Sequence, residues 1–315
     1  MENQMRRFGA SLLEVVVVVT IVGVLIAILL PAVQKVRVAS QRMTSLHNLK
    51  QIQLASLNFA TANGDRLASI DGDLKGPNPN QSAFVAILPF IEQSAAYRIA
   101  VDKPSDAPAV QLFLDPADPT LNLGQVNPYF TGPVPPSISN QILNQNKGVS
   151  SYAANAQVFR AGYTTTASIS DGHSNTIAFA MHYASGCFQT YFKYATYNCG
   201  ELGRRATFAD GGPWRTAGLM NYYLDLYPYT TGTPPVSRPA QGTVQGLYFP
   251  SSDYTFQVVP NARKNCDRDV PQTPYVSGLP VALMDGSVRI LNPGIAQSAF
   301  WGAVSPAGGE MLLDW

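Results

Sequence analysis

An unbroken apolar run near the N-terminus constrains this chain more than any other feature. Residues 12–33 hold a single charged side chain, Glu14, and from Val15 to Leu30 only Thr20 and Gly23 interrupt a series of Val, Leu, Ile and Ala. As a helix, 22 such residues reach about 33 Å, enough to cross a hydrocarbon core of roughly 30 Å. A helix that is apolar all round needs lipid or other helices on every side. One carboxylate inside it is costly there and marks a functional position. Arg6 and Arg7 precede the run, and the small-residue pair Gly9-Ala10 lies before it. A secretory signal places its cut after the apolar core; a cut after Gly9 leaves the hydrophobic helix on the mature chain.

The spacing predicts that the helix continues past the apolar run. Val33, Val36, Ala39, Met43, Leu46, Leu49 and Gln53 recur at three- and four-residue intervals, and Ile52, Leu57 and Phe59 widen the stripe. Pro31 kinks a helix this long rather than ending it, and Asn63-Gly64 is a C-terminal stop. Residues 11–62 would then span about 78 Å, the first half in a membrane or filament core and the second lying against a folded domain. Between Glu14 and Asp65 stand four cations, Lys35, Arg37, Arg42 and Lys50, and no acid. With Arg6 and Arg7 on the inner side, these four fall on the outer side, against the usual bias of basic residues toward the cytoplasm.

Beyond residue 63 the chain reads as one loop-rich α+β unit. Only 13% of residues are charged, and the net charge is +1; the leader carries two arginines and one glutamate, so its removal takes the charge from +1 to 0. No basic stripe of the kind nucleic acid demands is present. Residues 64–80 are turn-rich, residues 82–99 have helical spacing at Phe84, Ile87, Leu88 and Ile91 bent at Pro89, and Asp115-Pro116-Ala117-Asp118-Pro119 punctuates a stretch poor in regular structure. Strands are predicted over 151–160, 175–183, 246–250 and 255–259, and residues 186–242 form an insertion or a set of loops. Val281 to Met284, Asp285-Gly286 and Ser287 to Ile290 read as a hairpin with a two-residue loop. That register pairs Leu283 with Val288 and Val281 with Ile290 on an apolar face, and Ala282 with Arg289 on a mixed one.

The three cysteines, Cys187, Cys199 and Cys266, lack the spacing of a zinc or redox motif. In an oxidising compartment Cys187 and Cys199 would close a disulfide loop and leave Cys266 over; three buried thiols are an equally open alternative.

Two resemblances follow from these residues. The basic leader, Gly9, Glu14 at the fifth place after it and Pro31 at the twenty-second resemble the processing signal of type IV prepilins and type II secretion pseudopilins, with Ala10 standing where a Phe is usual. The His47-Asn48-Leu49-Lys50-Gln51-Ile52, Ile87 to Gln93, Leu112 to Pro119, Ser150 to Ala153, Asp171 to Ile177 and Asp285 to Arg289 stretches resemble, in order, a family of prepilin-like proteins whose C-terminal domain has no known function and often ends in a His-x9-Asp-Gly motif. Asp285 and Gly286 match the end of that motif, Tyr275 stands at its His position, and Asp115 stands where a Cys is frequent. The resemblance implies a pilin-like α+β fold, a long helix packed on an antiparallel sheet. It implies cleavage by prepilin peptidase between Gly9 and Ala10, with Glu14 serving assembly with other pilin-like subunits.

The domain plan is a leader over 1–9, a transmembrane and polymerising helix over 10–33, its amphipathic continuation over 34–63, and a soluble domain over 64–315. Catalysis is not expected: His173 stands beside Asp171 and Ser174, but a triad is a spatial arrangement, and no Gly-x-Ser-x-Gly elbow exists. No cofactor is expected. The acidic turns at Asp71 and Asp73, Asp115 and Asp118, Asp171, and Asp285 offer oxygens of the kind that hold Ca²⁺, without EF-hand spacing. Tyr222, Tyr223, Tyr227 and Tyr229 read as a packed loop with amphipathic tips, with a glycan or partner site as the alternative. The functional expectation is a structural subunit of a type IV pilus or type II secretion assembly, seated in the inner membrane with its soluble domain outside the cytoplasm. The alternative is an anchored envelope protein whose soluble domain captures a solute or polymer.

Overall fold

A computed structural model describes residues 12–68, 83–102, 108–121, 150–159, 165–184, 207–208, 243–244, 247–248, 255–260 and 270–307. The chain divides into two compact units, Met1–Met43 and Thr44–Trp315. Helix α1 covers Leu12–Ala62 with Pro31 inside it. It ends where Asn63-Gly64 predicts: Gly64 takes φ 66°, and the Asp65 amide bonds back to the Ala60 carbonyl at 2.8 Å, closing the last turn.

In the first unit, residues 12–40 of α1 are exposed along their whole length. In the second, α1 buries Ser45, Asn48, Leu49, Ile52, Gln53, Ala55, Ser56 and Ala60. The buried face is therefore shorter and more polar than the apolar stripe suggests. Val33, Val36 and Met43 are exposed, while Ser45, Asn48, Gln53 and Ser56 point inward. Small side chains let a helix approach its neighbour closely, and hydrogen bonds then replace methyl groups as the locating contacts.

The segment after α1 breaks into α2 (Ala83–Ala86), a 3₁₀ turn at Leu88–Ile91 containing Pro89, and α3 (Ser94–Asp102), with Glu92 in the left-handed region between them. The strands are β1 (Tyr152–Asn155), β2 (Ile177–Met181), β3 (Thr207–Phe208), β4 (Thr243–Val244), β5 (Leu247–Tyr248), β6 (Gln257–Val258), β7 (Gln272–Thr273), β8 (Leu279–Leu283) and β9 (Val288–Leu291), and helix α4 covers Gln297–Val304. The main sheet has the order β3-β1-β2-β8-β9, antiparallel except for the short parallel edge pair β1-β3; β4-β5 and β6-β7 form separate two-stranded ribbons. The class is α+β, as the sequence predicts.

The second unit is layered. One face of the sheet, with Ala154, Phe179, Ala282 and Met284, packs into a cluster with Leu49, Ile52 and Ala55 of α1 and Phe84 of α2. Phe84 meets Phe113 and Phe179 edge-on at centroid distances of 5.0 and 5.6 Å, the geometry that aligns a ring edge with a neighbouring π face. The other face, with Ala153, Ile177, Val281, Leu283 and Leu291, packs with Phe300, Ala303 and Val304 of α4.

Helix α4 and the doubly buried β8 correct the expected one-sided sheet, and the hairpin register is shifted by one residue. Ala282 pairs with Val288, Val281 with Arg289, Pro280 with Ile290 and Leu279 with Leu291. The loop holds three residues, not two. The Gly286 amide bonds to the Leu283 carbonyl at 3.0 Å, the Leu283 amide to the Ser287 carbonyl at 2.9 Å, and Asp285 Oδ1 accepts the Ser287 amide at 2.8 Å. Among the loop residues only Gly286 has positive φ, 87°, the pattern of a type I turn with a glycine bulge. The Met284 and Asp285 amides bond to the carbonyls of Thr176 and His173 ahead of β2, so this longer loop is pinned to the sheet. A one-residue shift exchanges faces. It turns Ala282 toward α1, and Val281 and Leu283 toward α4.

Gly278 has φ 126°, and a Cβ there would lie 2.0 Å from the Leu291 carbonyl oxygen, whereas one on Gly64 would meet nothing within 4 Å. Gly64→Ala should cost about 1 kcal/mol from its left-handed φ alone, and Gly278→Ala at least ~3 kcal/mol. Denaturant unfolding of the two full-length variants compares them; equal losses would contradict the close approach.

Candidate functional site

The turn that opens at Leu114 shapes a buried polar site. Asp115 Oδ1 accepts the Ala117 amide at 2.7 Å, and Asp118 Oδ1 accepts the Thr120 amide at 2.8 Å and the Thr120 hydroxyl at 2.6 Å. Each aspartate thus bonds the backbone two residues on, which is why Asp-Pro-x-Asp-Pro folds as two successive tight turns. Neither is at the surface: Asp115 is 0% and Asp118 2% exposed. Asp118 Oδ2 accepts the Ser151 hydroxyl at 2.7 Å and the Ala184 amide at 2.8 Å, so four donors surround one carboxylate and join the entry of β1 to the exit of β2. Charge-assisted bonds of this number offset much of the cost of burying the group.

Asp115 is less well served. Besides Ala117, its donors are hydroxyls: Tyr275, 3.2 Å from Oδ1 and 3.3 Å from Oδ2, and Tyr152. The Tyr275 hydroxyl also lies 2.9 Å from Ser45 Oγ on α1, and Asn48 Nδ2 donates to the Tyr152 hydroxyl at 3.2 Å and to the Leu114 carbonyl at 3.3 Å. Four separate stretches (α1, the 115–118 turn, β1 and the loop before β8) therefore converge on one carboxyl group. Burial, against partial relief from the Ala117 amide and Tyr275 and with Asp118 adding repulsion, pushes Asp115 up to about 7. Burial also pushes the Tyr152 and Tyr183 hydroxyls up, with the negative charge of Asp115 adding to the effect on both and that of Asp118 on Tyr183. The Tyr183 hydroxyl has no hydrogen-bond partner among the described residues.

Asp115 and Tyr275, far apart in sequence, touch through the Tyr275 hydroxyl.

The second feature is the exposed part of α1. Fifteen Leu, Val and Ile side chains between Leu12 and Leu30 are 47–84% exposed. At about 1 kcal/mol for each half-exposed aliphatic side chain, leaving them in water would cost as much as a typical domain's entire stability. Glu14 lies in the first turn of this helix. Gly9 and Ala10, and Cys187, Cys199 and Cys266, lie outside the described residues, as do Asp71, Asp73 and the 222–229 tyrosines.

Asp285 and Gly286 form the tip of the β8-β9 hairpin, where a Cβ on Gly286 would stand 3.6 Å from Leu54 and 3.8 Å from Leu57 of α1. Their part is to turn the chain tightly against the helix. Asp171-Gly172 is likewise a turn: Gly172 has φ 95° and its carbonyl accepts the Asn175 amide at 3.1 Å. His173 Nε2 is bonded to the Thr166 carbonyl at 2.8 Å rather than to a serine. Among the described residues no group of three or more His, Cys, Asp or Glu side chains gathers in metal-binding geometry. The sequence signal for the buried site was available in Ser45, Asn48, Gln53 and Ser56, polar residues at helical spacing on the packed face.

Fold and surface together define an α+β protein carrying one N-terminal helix long and apolar enough to cross a membrane. Residues 34–185, just under half of the chain, match the model of a family described as a protein of unknown function (DUF1559). The matched part takes in the polar half of α1, both buried aspartates, β1 and β2; Tyr275 and the hairpin lie outside it. No curated protein and no solved structure matches the chain.

A carboxyl held near 7 in the fold and at 3.8 when unfolded keeps its proton only in the folded state between those values. Stability from this site is therefore greatest in acid, falls as pH rises through that window and levels off above it, by about 4 kcal/mol in all. Asp115→Asn should remove that slope, so the variant gains stability relative to wild type on going from about pH 4 to about pH 8 in denaturant unfolding. Parallel pH profiles for the two proteins would show that Asp115 is ionised in the fold.

Proposed function

We propose that this chain is a pilin-like structural subunit, processed by prepilin peptidase between Gly9 and Ala10 and assembled through α1 with other pilin-like subunits. It is neither an enzyme nor a cofactor-dependent protein in this reading. It resides in the inner membrane with the second unit outside the cytoplasm, and enters a type IV pilus or type II secretion-type filament. Three features support the reading: the exposed apolar helix, the α+β unit that begins on the polar half of the same helix, and the family match over residues 34–185. The observation that carries it is the placement of Glu14 in an otherwise uncharged run of aliphatic side chains. A plain anchor has no use for a carboxylate there, since burying it in hydrocarbon costs several kcal/mol without a cation.

Cleavage after Gly9 supplies that cation as the Ala10 ammonium, one helical turn before Glu14. In the lone subunit, headgroups and water near the membrane surface relieve part of the cost. In a packed bundle of such helices the amine of a neighbouring subunit serves instead, and the pair fixes the axial register of one helix against the next.

Two measurements test this. Mass spectrometry of the mature protein should find Ala10 at its N-terminus; a chain beginning at Met1 or cut beyond Pro31 would contradict the processing step. Glu14→Val should leave the subunit inserted and folded yet cut its entry into filaments by tenfold or more, the equivalent of about 1.4 kcal/mol or more of lost pairing. Entry at the wild-type rate would favour a simple anchor.

A further inference from the structure

Lys35 and Arg37 follow the apolar run directly, and both are exposed on α1. No acidic residue occurs between Glu14 and Asp65, so this part of the helix carries positive charge uncompensated along its own length. Helix geometry places the four cations at different depths. Measured from Val33, the last residue of the span, Lys35 stands about 3 Å further along the axis, Arg37 about 6 Å, Arg42 about 14 Å and Lys50 about 26 Å. The headgroup layer on each side of a bilayer is about 5–8 Å deep. Lys35 and Arg37 fall inside it, Arg42 sits just above it, and Lys50 is well beyond a Debye length of about 8 Å from it.

Direction decides what kind of partner these two cations suit. Two residues along an α-helix turn by about 200°, so Lys35 and Arg37 leave α1 on opposite sides. A protein docked on one face of the helix meets only one of them. A ring of lipid meets both, and each long side chain keeps its stem along apolar surface while its charge reaches the phosphate plane.

We infer that Lys35 and Arg37 form a collar that recognises anionic phospholipid headgroups in the outer leaflet of the membrane α1 spans. The inference rests on the membrane reading above. The collar sets the depth at which the helix rides: sliding α1 outward lifts both charges off the phosphates, and sliding it inward drives them into hydrocarbon. It also accounts for basic residues standing on the side where membrane proteins ordinarily carry few. They bind lipid there, while Arg6 and Arg7 at the other end set orientation.

The test uses the mature chain from Ala10 onward, which lacks Arg6 and Arg7, reconstituted into vesicles of phosphatidylcholine alone and of phosphatidylcholine mixed with phosphatidylglycerol. Resistance to alkaline extraction from the first reports insertion. The motionally restricted fraction of spin-labelled phosphatidylglycerol, compared with spin-labelled phosphatidylcholine, reports headgroup preference. Wild type should favour phosphatidylglycerol by about fivefold or more at about 0.15 M salt, where the Debye length is about 8 Å, the size expected of one cation at an anionic surface. The preference should fade toward one at about 1 M salt, where screening acts within about 3 Å. The K35Q/R37Q double variant should lose the preference while inserting normally, whereas K50Q and the charge-conserving K35R/R37K should keep it.

Insertion without any preference in wild type, or a preference that survives K35Q/R37Q, overturns the collar and leaves the membrane reading standing. The first of these would hand the two cations to an acidic protein neighbour. Failure to insert overturns both.

Discussion

Residues 45–60 of α1 are the surface on which the second unit is organised. The face they present is narrow and half polar, and it binds by hydrogen bonds to parts of the chain far away in sequence. Ser45 reaches Tyr275, Asn48 reaches Tyr152 and the Leu114 carbonyl, and Gln53 Nε2 donates to the Met284 carbonyl at 3.1 Å. Leu49, Ile52 and Ala55 supply apolar contact between these bonds. Apolar contact alone tolerates sliding of a helix along a sheet. Buried donors and acceptors do not, because each one displaced from its partner costs about 1–3 kcal/mol. The helix is thereby held at one axial position against the sheet.

The two aspartates show how such a fold accommodates carboxylates without exposing them. Asp118 is surrounded by donors from three segments, and it serves as a clasp between β1 and β2. Asp115, three residues earlier, has one close amide and otherwise only hydroxyls at the long end of hydrogen-bonding distance. Weak donors cannot offset full burial, and burial pushes the carboxyl up to about 7. Identical side chains in adjacent turns thus take different roles, the difference being set by how many N–H groups reach each one.

Charge is sorted along α1 in the same spirit. One acid occupies the apolar run, and four cations follow it with no acid until the helix has ended. The acid suits pairing with an amine among packed helices, and the first two cations suit a phosphate plane. These are properties of depth: at a fixed rise per residue, position along a helix measures distance from the membrane surface.

Much of this was legible before any coordinates. The long helix, its end at Asn63-Gly64, β1 and β2, and the α+β class followed from periodicity and from residues whose backbone preferences are strong and local, whereas the stretch read as one helix bent at Pro89 is three short pieces. The hairpin was legible as a hairpin, but its register was not. Asp-Gly suits both a two-residue loop and the end of a three-residue one, and the choice was made by amide bonds from Met284 and Asp285 to Thr176 and His173, more than a hundred residues away. Helix α4 went unread because the strand it covers is apolar on both faces, and such a run does not reveal how many layers enclose it. The buried site shows the same limit. Asp115-Pro116-Ala117-Asp118-Pro119 announces two turns, since each aspartate bonds its own neighbouring backbone. Nothing local announces that Tyr275, Tyr152 and Ser45 will close over one of them. The sequence by itself determined the long helix, the tight turns and a segment long and apolar enough to cross a membrane, because those depend on neighbours a few residues apart. Only the tertiary structure decided which polar groups lose their water, because that depends on which distant segments arrive to exclude it.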